Sequence, residues 1–255
     1  MHTCVLGVVP SVSIFVHLRG VVPEERLHCL QPLGPQFVTV ASGLIFLDAY
    51  TSAYGDELWA RLINPLVAPG SVTAAATATT TVSISWPAVK GASKYQVARS
   101  SDGTTFTTLA TIDGRLFLND GTAEADTAYL YKIRALDAGD GPGPYSPVDL
   151  ATTVLFTDDP ISTGSTIVKA AHVAQLRTAV NAVRRLAGIG DASFSDPALV
   201  AGSTRIRAQH VLDLRAALDA ARNTLVLSAL TYTDPSLASA TIKAAHFTDL
   251  REGVK

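Results

Sequence analysis

Excess charge of one sign, long apolar runs and cysteine are all scarce in this sequence. Lysine plus arginine number 20 against 22 acidic residues, a formal net charge of -2. That leaves no basic field to hold nucleic acid or an anionic membrane. Only 16% of residues are charged, below the usual quarter. Lysine in particular is rare, so Thr, Ser, Ala and Gly must carry the surface, a composition common in extracellular bacterial proteins. No stretch reaches the roughly 18 apolar residues of a membrane span. The longest candidates are Cys4–Val16, broken by Pro10, and Phe37–Leu47. The first is similar to a signal-peptide core, but only His2 precedes it as a cationic start, and the sequence leaves open whether Met1 is a mature start. The two cysteines, Cys4 and Cys29, allow one disulfide closing a loop of about two dozen residues, worth roughly 3 kcal/mol in the chain-entropy model. Two unbridged thiols are the alternative.

Catalytic signatures are missing as well. The sequence has no nucleophile elbow, paired-histidine zinc helix, phosphate loop or dinucleotide fingerprint. The acidic pieces Asp137–Asp140 and Asp158-Asp159 lack the alternating spacing of a calcium loop. These absences predict a protein that is not an enzyme and takes neither cofactor nor metal.

What is present divides the chain into three regions. Residues 1–66 are apolar and β-prone, with runs Val5–Val9, Val12–Leu18 and Phe37–Leu47 between Pro and Gly punctuation. Asp56–Ile63, with Trp59, reads as one or two helical turns ahead of Asn64-Pro65. The segment is too small to build a core of its own and reads as an assembly arm or a patch that packs elsewhere. Residues 67–154 hold seven strand-like runs: Ser71–Thr77, Thr80–Trp86, Lys94–Ser100, Thr105–Ile112, Arg115–Asn119, Ala128–Leu136 and Val148–Thr152. Val82, Ile84 and Trp86 share one face by alternation, as do Tyr129, Tyr131 and Ile133. Ser101-Asp102-Gly103 and Asp140–Pro144 are turn chemistry. Seven short alternating strands in about 90 residues predict a β-sandwich.

The stretch Trp86–Gly103, with Lys94-Tyr95-Gln96-Val97, resembles the second-to-third strand signature of a bacterial fibronectin type III domain. Asp126–Ala135, with Tyr129 and Tyr131, resembles that family's sixth strand. The resemblance covers about a third of the chain. It implies a disulfide-free sandwich used as a spacer or adhesive module, with Trp86, Tyr95 and Tyr131 in the core and Tyr129 as the tyrosine-corner residue. The cell-attachment Arg-Gly-Asp loop of some members is missing; Asp113-Gly114-Arg115 is the reverse order.

Residues 155–255 repeat themselves. Lys169-Ala170-Ala171-His172 with Leu176-Arg177, Arg207-Ala208-Gln209-His210 with Leu214-Arg215, and Lys243-Ala244-Ala245-His246 with Leu250-Arg251 are three copies. Each follows an aromatic–hydroxyl–Asp–Pro lead-in at Phe156, Phe194 or Tyr232. The units are 155–192, 193–230 and an incomplete 231–255. Apolar residues at helical spacing predict one helix per unit, from about Arg207 to Leu225 in the second and ending near Leu186 in the first. The copies resemble short Lys-Ala-x-His-x-x-x-Leu-Arg repeats of secreted bacterial multidomain proteins, which carry no assigned activity.

His172, His210 and His246 occupy equivalent positions. One histidine per unit does not make a chelating cluster, so the imidazoles are expected to bond the lead-in backbone. Arg177, Arg215 and Arg251 are expected to pair with Asp159, Asp196 and Asp234 as structural fasteners, each tying its helix to its own or the next Asp-Pro turn, rather than as ligand sites. The short third copy is expected to leave the array open, because a stacked repeat without a cap exposes the interface that buries its neighbour.

The fold class expected is therefore multidomain all-β plus α, and the function a non-catalytic extracellular or cell-surface structural protein. It would self-associate into a homo-oligomer or polymer through the N-terminal segment and the open repeat end, without nucleic acid or a membrane span. The alternative is an accessory glycan-binding or adhesive module of a secreted carbohydrate-active system, with Trp59 and Tyr145 as candidate stacking rings.

Overall fold

A computed structural model describes residues 4–9, 12–16, 38–41, 44–51, 55–62, 66–162, 165–237 and 241–255. Strands β1 (Cys4–Val9) and β2 (Val12–Val16) pair antiparallel, and β3 (Val38–Ala41), β4 (Leu44–Thr51) and β5 (Gly55–Leu62) form a three-stranded antiparallel sheet. The run Phe37–Leu47 is thus divided between two strands rather than forming one. The helical turns expected at Asp56–Ile63 are strand instead, with Trp59 opposite Leu47 and Leu58 opposite Asp48. Pairing with the β-branched and aromatic run of β4 outweighs the weak local helical preference. Cys4 lies in β1 opposite Val16; Cys29, and with it the proposed disulfide, lies outside the described residues.

Beyond residue 66 the chain alternates apolar and polar residues, and the result is two facing sheets. β6 (Thr73–Ala78), β7 (Thr81–Ser85) and β10 (Phe117–Asp120) make one, in the order β10-β7-β6. β8 (Lys94–Ser100), β9 (Thr107–Asp113), β11 (Ala128–Leu136), β12 (Pro142–Tyr145) and β13 (Asp149–Thr152) make the other. Between them lie Val82, Ile84, Trp86, Tyr95, Val97, Tyr129, Tyr131 and Ile133. The Trp86 and Tyr95 rings meet at 5.6 Å. The Asp149 carboxylate accepts the Ala74 backbone N–H at 2.7 Å, fastening one sheet to the other.

The last strand is broken in two. β12 pairs with the Arg134–Leu136 end of β11 and β13 with its Ala128–Tyr131 end. Between them the Ser146 side-chain oxygen accepts the Ile133 N–H at 3.0 Å, standing in for a ladder carbonyl next to Pro147. The sequence reading had only a turn at Asp140–Pro144; β12 is an edge strand whose pairing with β11 is interrupted by a bulge between Arg134 and Leu136, and edges and bulges are where a sheet tolerates Pro142 and Pro144.

Three helices follow: α1 (Ala170–Leu186), α2 (Ala208–Thr224) and α3 (Ala244–Gly253). Their apolar stripes, including Val173, Leu176, Val180, Val183, Val211, Leu214, Leu218, Phe247 and Leu250, meet in one core. Ala128, Leu130, Leu150 and Val154 of the sandwich belong to that same core, because these residues face outward from β11 and β13 and α1 covers them. The sandwich and the helices are thereby fused along a shared apolar seam.

Candidate functional site

The repeated residues meet in the helical region. In each unit the lead-in aspartate takes a left-handed backbone: φ is 52° at Asp158, 50° at Asp196 and 49° at Asp234. Aspartate tolerates that conformation better than most residues. The turn aims its carboxylate at the start of the helix, where it meets the imidazole Nε2 of His172 at 3.0 Å, of His210 at 2.9 Å and of His246 at 3.1 Å. The same three carboxylates take Lys169, Arg207 and Lys243. Lys169 leads and His172 follows in holding Asp158 below the usual carboxylate range. His210 and Arg207 do the same for Asp196, and Lys243 and His246 for Asp234.

The other imidazole nitrogen sets the histidine's role. Nδ1 accepts the backbone N–H of Lys169, Arg207 or Lys243 at 3.2, 3.2 and 3.3 Å. These residues occupy the N-cap position and carry no acceptor side chain, so the histidine three residues on supplies the acceptor that Glu or Gln gives in a capping box. An Nδ1 that accepts leaves the proton on Nε2, where it is donated to the aspartate. The three histidines, 0%, 1% and 0% exposed, are helix caps. Among the described residues no group of three or more His, Cys, Asp or Glu is placed to hold a metal ion.

Each arginine ties its helix to the next Asp-Pro turn, one of the two ties expected; Arg251 meets the Asp159 carboxylate, whereas Arg177 and Arg215 pass by the carboxylates of Asp196 and Asp234. They reach backbone carbonyls of the following unit. Arg177 donates to the carbonyls of Ser195 and Asp196 at 2.5 and 3.0 Å. Arg215 donates to those of Thr233 and Asp234 at 2.7 and 3.0 Å. Each guanidinium also lies over the aromatic of that unit, 5.1 Å from the Phe194 centroid and 4.4 Å from that of Tyr232. The reason is that the left-handed turn points its carbonyls outward, leaving acceptors that a planar fork can bridge.

Arg251 completes the series and overturns the open-ended array. It donates to the carbonyls of Thr157 and Asp158 at 2.8 and 2.9 Å and lies 4.8 Å from the centroid of Phe156. These are the same contacts, made by the third unit to the first. The units close head to tail into a ring, a geometry that a linear reading of sequence order conceals because it joins residues 93 and 94 apart. Asp159, assigned above to the repeated position, is an extra residue there. Asp158 is the equivalent of Asp196 and Asp234, and Asp159 instead meets Arg251 at 3.3 Å and Lys255 at 3.8 Å.

Sequence reasoning missed further members of this clasp. Gln175, Asp213 and Asp249 each accept a lead-in N–H, from Thr157, Ser195 and Thr233 respectively. Alignment of the units places all three one turn past the histidine, a signal available in the sequence. Arg184 and Arg222 add a second tie, to the carbonyls of Ala217 and Gly253 in the next helix.

In the sandwich, Trp86, Tyr95, Tyr129 and Tyr131 are all 5% exposed or less. The Tyr129 hydroxyl accepts the Glu124 backbone N–H at 2.9 Å, the upstream contact of a tyrosine corner. Tyr131 donates to Asp120 at 2.9 Å, and Arg99 reaches the same oxygen at 2.7 Å. Burial pushes Asp120 up, but bonds from Thr122, Arg99 and Tyr131 outweigh it and hold the carboxyl low. Burial, then Asp120, pushes the Tyr131 phenol up. This network buries Asp120 and Tyr131 and meets solvent only through Arg99 and Thr122.

The outer face of the larger sheet differs. Lys132 and Arg134 point outward from β11. Lys132 Nζ sits 3.9 Å from the Phe106 centroid and 4.4 Å from that of Tyr145, and the Arg134 guanidinium 4.7 Å from Tyr145. Gln96 Oε1 accepts from Arg134 Nε at 2.8 Å and from the Tyr145 hydroxyl at 3.2 Å. Two open depressions lie nearby: one of about 600 Å³ in the second unit along Asp196–Ala198 and Ser203–Arg207, and one of about 460 Å³ between the first and second units beside Arg177, Asn181 and Phe194. No helix among the described residues is long and apolar enough to cross a membrane.

The fold so defined is a fibronectin type III-like β-sandwich joined to three C-terminal helices. No protein-family model matches the chain. A stretch of 89 residues is 38% identical to Chitinase 63 of Streptomyces plicatus, amounting to 34% of this chain and 14% of that protein; the chain thus spans about a seventh of the curated relative it matches. Among solved structures it is similar to a Fn3-like protein from Clostridium thermocellum, with 23% identity, 35% of this chain and 94% of that chain covered, and a TM-score of 0.33. It is also similar to the FN5 domain of Drosophila Lar, with 20% identity, 33% and 92% covered, and a TM-score of 0.29.

Proposed function

We propose that this chain is a non-catalytic extracellular module that serves a secreted, polysaccharide-directed system as an accessory or adhesive unit. The observation that carries the reading is the shared core of sandwich and helices. With Leu130, Leu150 and Val154 packed among α1 residues, the two parts form one stiff body rather than beads on a flexible linker, which suits a spacer that holds a neighbouring surface at fixed distance and angle. The stretch in common with a chitinase, of which it is a minor part, supports a polysaccharide setting. Cosedimentation of the full chain with chitin, cellulose and bacterial cell-wall sacculi tests the reading. Retention on at least one of them without release of sugar is the outcome expected. No retention on any, or hydrolysis of the polymer, would sink it.

Self-association is the second reading. Ring closure removes the open repeat end on which it partly rested. What still favours it is the β3-β4-β5 sheet, whose outer strands pair with no further strand among the described residues, since free edges invite strand addition. Light scattering across a hundredfold range of concentration separates the readings: a constant monomer mass removes self-association.

A further inference from the structure

We infer that the outer face of the β8-β11-β12 sheet is a binding strip for an acidic polysaccharide chain, an inference that rests on the polysaccharide reading above and specifies which class of polymer is bound. The helices cover one end of this face, over Ala128, Leu130 and Leu150. The uncovered continuation of β11 carries Lys132 and Arg134, two cations with no carboxylate among the described residues within ion-pair distance. Elsewhere on the same face Lys94 is neutralised by Asp140 at 2.8 Å.

The two cations are also held in place. Lys132 lies against both Phe106 and Tyr145, and Arg134 against Tyr145 and Gln96. Arg134, Gln96 and Tyr145 sit opposite one another on three adjacent strands, so the row crosses the sheet. Rings that brace the cations lower the ordering cost of binding, and the charges stay at fixed spacing, about two residues or 6–7 Å apart along the strand. A stiff polymer with regularly placed carboxylates or sulfates matches that arrangement. Flat sugar rings also find hydroxyl and amide partners in Thr111, which lies opposite Gln96 on β9, and in Gln96 itself. An acidic peptide shares the charge but pays a larger ordering cost to lie along the row, which is why the glycan is favoured.

Affinity electrophoresis of the full chain in gels containing polygalacturonate tests this, with neutral hydroxyethyl cellulose and poly-glutamate as parallel gels. Retardation by polygalacturonate alone is expected, weakened in 0.3 M salt as screened charge pairs require. The double variant Lys132→Gln, Arg134→Gln should lose about tenfold in affinity and stay folded with a melting temperature lower by only a few degrees, because both side chains are half-buried and lose their ring contacts. A second pair, Lys132→Glu with Arg134→Glu, should abolish retardation. No retardation of the native chain by polygalacturonate overturns the inference. So does equal retardation of the variants, or of the native chain by poly-glutamate. Retention on chitin or cellulose without retardation by polygalacturonate overturns this inference alone and leaves the proposed function standing.

Discussion

At Val226 a β-branched side chain, 90% exposed, sits at a φ of 56°. The matching position of the first unit is Gly188, at 69°. Both follow a helix end and close it with the same bonds: the Val226 and Gly188 N–H groups donate to the carbonyls of Asn223 and Arg185, and the N–H groups of the next residues, Leu227 and Ile189, to those of Arg222 and Arg184. Only glycine takes this position without penalty. Val226→Gly should therefore raise stability by about 1 kcal/mol, the relief of a left-handed β-branched residue less the extra freedom of unfolded glycine; thermal melts read the gain. The clasp aspartates predict a pH effect. Asp158, Asp196 and Asp234 all titrate below the usual carboxylate range when folded, so the unfolded chain takes up protons first as acid is added. Their contribution is complete above the ordinary carboxylate value of about 4 and is lost as pH falls through the lower folded values. Far-ultraviolet dichroism of the helices should fall as pH drops below about 4, and Asp196→Asn should flatten that acid limb. A limb unchanged in the variant would contradict the assignment. The repeated His, Arg and Asp types were legible from the sequence, as was the tie of each arginine to the next Asp-Pro turn; that Arg177 and Arg215 take carbonyls there instead of carboxylates was not. Pairing depends on a left-handed turn that exchanges which group, carboxylate or carbonyl, faces the helix.

Elements declared themselves where periodicity was strong. The helix face of His210, Val211, Leu214 and Leu218 and the inward row of Tyr129, Tyr131 and Ile133 follow directly from their spacing. The broken last strand was hidden because Pro142, Pro144 and Pro147 signal a turn locally, and only the neighbouring β11 edge makes a strand of them. Asp56–Ile63 was misread for the same reason: its partner strand, not its own propensity, decides. The contact between elements that was invisible in sequence lies at Gly103. A Cβ there would stand 2.5 Å from the Leu186 carbonyl oxygen and 2.6 Å from a Leu225 methyl, and φ is 75°. Gly103→Ala should cost about 2 kcal/mol or more, since backbone strain and overpacking act together. It should do so by loosening α1 and α2 from the sheet, which hydrogen exchange at the β11 and α1 amides would register.

On the scale of the whole molecule, the shared core predicts that sandwich and helices unfold together. Calorimetry should show one transition over residues 66–255, and Gly103→Ala should broaden or split it. Two separate transitions in the native chain would mean that the seam through Leu130 and Leu150 contributes little. The largest departure from the sequence reading is also at this scale. A period of 38 suggested a stack with a free end, whereas rotation between units brings the third back onto the first, and nothing in a one-dimensional repeat reports that rotation. The most direct test is to compare Arg251→Ala with Arg215→Ala by denaturant unfolding. In a closed ring the two arginines do the same job, so each variant should lose about 2–4 kcal/mol, the cost of stranding buried carbonyls and removing a charged donor. A normal Arg251→Ala protein beside a destabilised Arg215→Ala protein would show that the ring is open.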